Sequence, residues 1–393
     1  MNTLEWIFWI AFGITVYTFV GYGFVLYFLV RLKRMFSRSQ PILYMESELP
    51  TCALIIAAYN EEGYMIDKIQ NTLDLHYPKD KLMIYFVTDG STDQTPAIVS
   101  QYAGQIELRH RDARLGKIAA VHRVVEEVKA DLIIFTDANT FLNKEALIRM
   151  AQHFADPKVG AVSGEKRIQM EDQADASSAG EGFYWKYESS LKKWDSELYS
   201  VVGTAGELFG IRRSLYVPVP SDTLLDDFMI SMRIAEQGYK VVYEPNAYAV
   251  ELASENVQEE LKRKIRIAAG GIQSIVRLPR LIHPFGQPIL SFQYISHRVL
   301  RWTITPWLMI MMFLINGWLA YSVGNLYAWL FVGQIGFYGL AIIGWLLSKK
   351  SIKMKITFIP YYFCVMNYAV IAGLFRYIRG KQSVVWEKAS RKK

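Results

Sequence analysis

CALIIAAYNEE, Cys52 to Glu62, decides the architecture: seven apolar residues in a row break off through a tyrosine into Asn60 and two acids. A short apolar run without polar alternation is the pattern of a strand covered on both faces, as in a parallel sheet. The pattern returns in LMIYFVTDGSTD (Leu82–Asp93), DLIIFTDANT (Asp131–Thr140), KVGAVSGEKR (Lys158–Arg167) and KVVYEP (Lys240–Pro245). Between these runs, Glu62–Leu73, Thr95–Tyr102, Lys117–Val128 and Lys144–Phe154 are helix-like. Strands alternating with amphipathic helices over residues 50–280 predict a mostly parallel α/β sheet.

Ligands of open α/β sheets bind beyond the carboxyl ends of the strands. Asn60, Glu61, Asp89, Asp93, Asp137 and Asn139 all fall at such ends. Any one of them suits a turn or a helix cap. Three successive strands ending this way gather carboxylates on one rim, where their repulsion calls for a cation or for donors. Asp137 and Asn139 in TDANT offer hard oxygen ligands two residues apart, a pattern for Mg²⁺ or Mn²⁺ against a diphosphate. Lys117 in RLGKIAA is either an ordinary first-turn lysine or a cation for phosphate beside a helix amino end. Neither a Gly-rich dinucleotide fingerprint nor a Walker loop occurs.

The 393-residue chain is 52% hydrophobic and 14% aromatic, more than a soluble domain needs, and the excess is local. Trp6–Val30 carries no charge and is followed by RLKRMFSR, so residues 1–30 read as a membrane anchor whose basic flank faces the cytoplasm. Thr303–Ser348 is again free of charge and turns at Ser322–Asn325, which predicts a hairpin of Thr303–Tyr321 and Tyr327–Leu347. Phe358–Phe375 is a fourth apolar run, so 303–378 holds two to three spans. If that run crosses, the basic tail 379–393 lies outside; if it lies in the interface, the tail stays inside. Residues 281–302 mix basic, aromatic and apolar types and read as an amphipathic segment along the cytoplasmic interface. His283 and His297 have no co-ligand near them in sequence and are not read as metal ligands. The net charge of +7 gathers beside these segments, which points to anionic membrane lipids and away from nucleic acid. Cys52 and Cys364 suit neither a disulfide framework nor a thiolate metal site.

In this order the pieces resemble the family 2 glycosyltransferases, in the membrane-embedded branch with the cellulose, hyaluronan and poly-N-acetylglucosamine synthases. The resemblance runs from about Thr51 to Trp302. It implies a GT-A type, Rossmann-like nucleotide-sugar-binding domain in the cytoplasm, carried by transmembrane α-helices in the cell membrane. AAYNEE would be the first-strand signature, with Asn60 and Glu61 lining the nucleotide pocket. TDGSTD would be the second, with Asp89 facing the uracil of a UDP-sugar and Lys117 near the base or the diphosphate. TDANT takes the place of the Asp-x-Asp metal motif, with Asn139 for its second acid. YWKYES and GTAGELFGIRR match the acceptor side, where Gly203, Thr204 and Gly206 would let a sugar approach the backbone. KRKIRIAAGG aligns with the Gln/Arg-x-x-Arg-Trp motif through Arg263 and Arg266, which would hold the donor diphosphate. Ile267 stands where processive synthases have a tryptophan that helps hold the acceptor.

LLDDF, Leu224 to Phe228, falls where that family carries its base. A carboxylate within reach of an acceptor hydroxyl can draw off its proton as the new bond forms. Apolar flanks and a neighbouring acid raise such a carboxyl's pKa. By the resemblance Asp227 is the base and Asp226 orients or tunes it; read locally, the stretch is an amphipathic helix with acids in its first turn. The whole implies an inverting hexosyl- or N-acetylhexosaminyltransferase that extends a β-linked exopolysaccharide from a UDP-sugar with Mg²⁺ or Mn²⁺, with a partner subunit where export needs a wider path. Two alternatives stay open. One is a non-processive transferase acting on a lipid-linked acceptor; the other is a non-catalytic relative that assembles a synthase, motivated by Asn139 and Ile267.

Overall fold

The computed structural model describes residues 2–36, 43–169, 176–252, 257–349 and 354–380. Most of the basic tail, 381–393, therefore lies outside the described residues. The sheet consists of β1 (Cys52–Ala58), β2 (Leu82–Asp89), β3 (Glu107–Arg111), β4 (Leu132–Asp137), β5 (Thr140–Leu142), β6 (Val159–Gln169), β7 (Leu208–Arg212) and β8 (Lys240–Leu252). Their order across the sheet is β3-β2-β1-β4-β7-β6-β8-β5. β1 is buried along its whole length, as its unbroken apolar run requires. Leu54, Ile55 and Ile56 are at most 1% exposed, and each contributes about 1.5–3 kcal/mol by leaving water.

Among the described residues, four of the seven strand pairings follow the parallel expectation, β6 with β8 among them. β1 runs parallel to β2 and β4, and β2 to β3. β7 then enters antiparallel between β4 and β6, which makes the sheet mixed. β7 is five residues long with Gly210 at its centre, a pattern that carries little strand signal. A side chain at Gly210 would come within 3.2 Å of Ile134 and 3.3 Å of Met150, so the glycine is there to admit its neighbours. β3 (ELRHR) hides because it is a charged edge strand, a composition that guards an edge against further pairing.

Register sets the site. Ala57 pairs with Asp137 and Ala58 with Thr88, so the carboxyl ends of β1, β2 and β4 stop within about two rungs on one rim.

The helices, in chain order, are α1 (Thr3–Val16), α2 (Tyr22–Phe36), α3 (Glu62–Leu73), α4 (Thr95–Ser100), α5 (Lys117–Glu127), α6 (Ala146–His153), α7 (Ala176–Leu198), α8 (Asp226–Glu236), α9 (Val257–Arg277), α10 (Pro288–Tyr294), α11 (Leu300–Trp302), α12 (Thr305–Ser322), α13 (Leu326–Ser348) and α14 (Lys355–Ile378). One sheet face packs Val121 and Val124 of α5 with Met229 and Ile234 of α8. The other packs Met65 and Ile69 of α3 with Leu147 and Met150 of α6. Helices on both faces explain why the strands read as continuous apolar runs.

A single π turn joins α1 to α2, giving a 34-residue rod, Thr3–Phe36. At 1.5 Å per residue it is about 50 Å long, well beyond a hydrocarbon core of ~30 Å. Its second half docks on the α/β domain: Tyr22 and Leu26 are fully buried beside Leu191 of α7. The Lys33 ammonium donates to the carbonyls of Glu197 (2.7 Å) and Leu198 (2.9 Å) at the end of α7. Part of the basic flank thus neutralises a helix carboxyl end rather than lipid.

Among the described residues, three helices are long and apolar enough to cross a membrane: Thr3–Phe36, Leu326–Ser348 and Lys355–Ile378. Pro288–Trp302 and Thr305–Ser322, bent by 57° at their break, make a fourth candidate if the pair is one span. α14 packs between this bundle and the domain. Gly344 of α13 lies against the Thr357 carbonyl, and Gly373 lies against Ala268 and Ala269 of α9.

Candidate active site

Asp89 closes β2 and turns one carboxylate oxygen to the backbone N–H groups of Leu115 (2.7 Å) and Gly116 (2.6 Å). Gly116, at φ +97°, makes the tight entry to α5 and puts Lys117 at the helix start. The other Asp89 oxygen is buried and takes no hydrogen bond from the described residues, which leaves an acceptor for a ligand's N–H. Tyr59, Val87, Asp89, Arg114 and Lys117 line a shallow hollow there, with the Arg114 guanidinium 3.9 Å over the Tyr59 ring. An adjoining small hollow is lined by Lys117, Phe135, Thr136, Gly206 and Asp226.

Asn60 and Glu61 sit beside this pocket but brace it rather than line it. Asn60 adopts φ 52°, and its amide oxygen accepts from the Thr92 N–H at 2.8 Å. Glu61 is buried, and its backbone N–H donates to the Thr95 hydroxyl at 2.9 Å. The left-handed turn at Asn60 carries the chain away, so Tyr59 forms the wall.

The Lys117 ammonium lies 2.8 Å from Asp137 and 3.7 Å from Asp226, joining the two acidic motifs. Burial opposes its charge, but Asp137 and then Asp226 outweigh that and raise its pKa. The Asn139 amide oxygen is buried and unbonded among the described residues.

Asp226 and Asp227 form the first turn of α8, so the helix-start reading of LLDDF holds in the geometry. Burial first and the Asp226 charge second push the Asp227 carboxyl up to about 7, against the Phe228 N–H and Lys117, which draw it down. The Thr204 hydroxyl donates to the Asp227 carbonyl at 3.0 Å and anchors the turn. A Cβ at Gly206 would lie 3.4 Å from Asp227 Oδ2, so this glycine keeps the ground before the carboxylate clear. Gly203 behaves otherwise: at φ +91° its missing side chain leaves room filled by the Phe228 ring, 2.3 Å from where a Cβ would stand. Its role is therefore to seat α8 and not to open the backbone to an acceptor.

The two arginines of α9 divide. Arg263 joins a buried ion cluster, 3.6 Å from Glu251, which also binds Lys166; Lys166 in turn lies 2.5 Å from Glu207. Burial works against the Glu207 charge, yet Lys166 and Arg263 hold its carboxyl well below the usual range. Arg266 has no ion pair among the described residues, and its Nε is buried without a partner. Burial, then Arg263, lowers its pKa, while Asp226 and Asp137 pull it upward; Arg376 of α14 adds a further repulsion.

Sequence reading passed over Glu207, Lys166 and Arg376. A lone acid inside GTAGELFG and a single arginine ending an apolar run were the available signals.

YWKYES lies within α7, and the side chains of Tyr184 and Trp185 fall outside the described residues. Its remaining members serve a junction rather than the acceptor side. The Tyr187 hydroxyl donates to the Phe19 carbonyl, and Glu188 pairs with Arg298 (3.1 Å) and Arg301 (2.9 Å). His297, without partners in the sequence reading, is buried between Asp195 (2.6 Å) and Glu188 (3.1 Å). His297 thus belongs to a buried ion network with Asp195, Glu188, Arg298 and Arg301.

An acid-bearing rim at parallel strands of a mixed sheet, faced by a carboxylate-led helix, is the arrangement of a GT-A-like α/β domain. Residues 53–217 match the family described as Glycosyl transferase family 2. Poly-beta-1,6-N-acetyl-D-glucosamine synthase of Staphylococcus aureus (strain MSSA476) is 27% identical over 264 residues, 65% of this chain and 62% of that protein. The synthase of the same name from Staphylococcus epidermidis is 25% identical over the same spans. The chain thus matches under two thirds of the length of these relatives. The fold is shared with the mannosyltransferase PcManGT from Pyrobaculum calidifontis, solved with GDP-Man and Mn²⁺: TM-score 0.72 and 22% identity, over 96% of this chain and 100% of that one.

Proposed function

We propose that the protein is a membrane-bound, inverting glycosyltransferase that transfers a sugar from a UDP-sugar to a growing β-linked polysaccharide. The observation that carries this is Asp227, held at the start of α8 with its carboxyl raised to about 7 and the ground before it kept open by Gly206. A carboxylate of that basicity suits proton removal near neutral pH. Asp227 takes the acceptor hydroxyl proton as the oxygen bonds to the anomeric carbon and the bond to the donor diphosphate breaks. A single displacement inverts that carbon. Asp89 offers its free oxygen to the base, and Arg266 with Lys117 faces the departing diphosphate.

The residues at TDANT fit a divalent cation, Mg²⁺ or Mn²⁺. Asp137 supplies a carboxylate and Asn139 a buried amide oxygen that no other group among the described residues satisfies. Bound there, the ion would neutralise charge on the leaving diphosphate. The mannosyltransferase's Mn²⁺ and the synthases' poly-N-acetylglucosamine support the metal and the polymer respectively.

A lipid-linked acceptor is favoured by one feature. Phe8, Met309, Met312, Leu319 and Tyr327 fill the space between α1, α12 and α13, so that part of the bundle is a packed core. Export through these helices would then need a partner subunit. Purified protein incubated with a panel of UDP-sugars and Mn²⁺, with products sized on a gel, separates the readings. A long ladder supports the polymerase; a single lipid-linked addition supports the other reading, and no UDP release from any donor overturns both.

A further inference from the structure

Lys68 is fully buried in the middle of α3, between Met65 and Ile69 of the apolar core. No carboxylate among the described residues forms an ion pair with it. Burial brings its pKa down to about 7, with Asp137 pulling the other way. A methionine would fill the same space at no such cost. What only the lysine nitrogen does is donate 2.6 Å to the Thr140 carbonyl and reach the Thr136 hydroxyl at 3.5 Å.

Thr136 and Thr140 are the two residues that flank Asp137-Ala138-Asn139. Their hydroxyls lie 3.0 Å apart, and the Thr140 hydroxyl also reaches the Asp137 carbonyl at 2.9 Å. Lys68 therefore ties both ends of this turn from beneath. Asn71, one helical turn on, holds the next stretch by a reciprocal pair: its amide donates to the Leu142 carbonyl (2.8 Å) and accepts from the Leu142 N–H (2.9 Å). The amino end of the same helix grips the loop beside Asp89, where the Glu62 N–H donates to Asp93 at 3.1 Å and the Gln94 N–H to Glu62 at 3.0 Å.

We infer that Lys68 and Asn71 are positioning residues for the metal: α3 uses them to hold Asp137 and Asn139 at a ligating separation, indexed to the nucleotide loop. This rests on the reading of TDANT as the metal motif. Outer-shell partners of metal ligands typically matter by 10–100-fold in affinity. A residue serving only to satisfy a core carbonyl would lower stability and leave metal affinity alone.

The test is Mn²⁺ binding by full-length protein in detergent with UDP present, followed by the loss of the free-Mn²⁺ paramagnetic resonance signal, alongside UDP binding in EDTA. Lys68→Met and Asn71→Ala should each weaken Mn²⁺ by roughly tenfold while UDP affinity in EDTA stays within about twofold. Wild-type Mn²⁺ affinity in either variant overturns the inference, as does a parallel loss of both affinities, which would mean general loosening. If Lys68→Met does not fold, Asn71→Ala carries the test by the same criteria. Asp137→Ala separates the two levels: retained Mn²⁺ binding there refutes the metal motif itself, whereas lost binding beside unaffected Lys68 and Asn71 variants refutes only their role.

Discussion

Lys117 donates to Asp137 at 2.8 Å, so the lysine that opens α5 is bonded to the acid that ends β4. Its ammonium is also 3.7 Å from Asp226, which makes it the positive centre between the metal motif and the acidic pair. Removing it leaves those acids facing each other. Lys117→Met should lower kcat/KM by roughly 100-fold or more, as loss of a charge-stabilising group does. It should also move the acid limb of the pH profile upward, because Lys117 lowers the Asp227 pKa. A limb that stays in place would contradict the coupling.

The pH dependence of the wild type follows from Asp227. With the carboxyl raised to about 7, the base is protonated below that pH and free above it. The rate should therefore rise as pH increases through about 7. Asp226 raises the Asp227 pKa, so Asp226→Asn should shift the rise to lower pH, even as it lowers the rate. A shift to higher pH would show that Asp226 acts through something other than its charge.

The two glycines of the turn before β7 should part company. Gly203→Ala places a Cβ in a left-handed backbone and 2.3 Å from the Phe228 ring, so it should cost about 2 kcal/mol or more. Gly206→Ala meets Asp227 Oδ2 at 3.4 Å, ordinary contact, and should leave the fold intact while raising acceptor KM. Thermal unfolding of the two variants, with initial-rate kinetics on the second, checks both.

The junction between α2 and the domain depends on buried charge. His297→Ala would leave Asp195, which is fully buried, with Tyr22 and Gln293 as remaining donors. Breaking such a network at one member costs about 3–5 kcal/mol, and the surviving donors place this case near the lower end. The melting temperature in detergent should fall accordingly, and an unchanged value would mean that water replaces the imidazole.

Much of this was legible beforehand, for physical reasons. The unbroken apolar runs of β1, β2 and β4 and the helix over Glu62–Leu73 announce themselves because burial on both sheet faces leaves no polar alternation to confuse. The charge-free stretches likewise marked the helices now seen at Thr305–Ser322 and Leu326–Ser348. β7 and β3 were not legible, since one is a short glycine-centred strand and the other a charged edge. α7 escaped because its periodicity is weak and its charges pair with residues over a hundred positions away, as Glu188 does with Arg298 and Arg301. Within the site, the rim acids followed from strand ends. Lys68 did not, because a lysine among apolar helix residues looks like a solvent-facing one until the fold closes over it.

The most direct measurement is UDP release by Asp227→Asn with the donor that the wild type uses best, together with the affinity of the variant for UDP. Turnover should fall roughly 10²–10⁴-fold with UDP affinity nearly unchanged, since the carboxylate acts on the acceptor and not on the nucleotide. Turnover at the wild-type rate in the variant would contradict Asp227 as the base and with it the mechanism proposed for this protein.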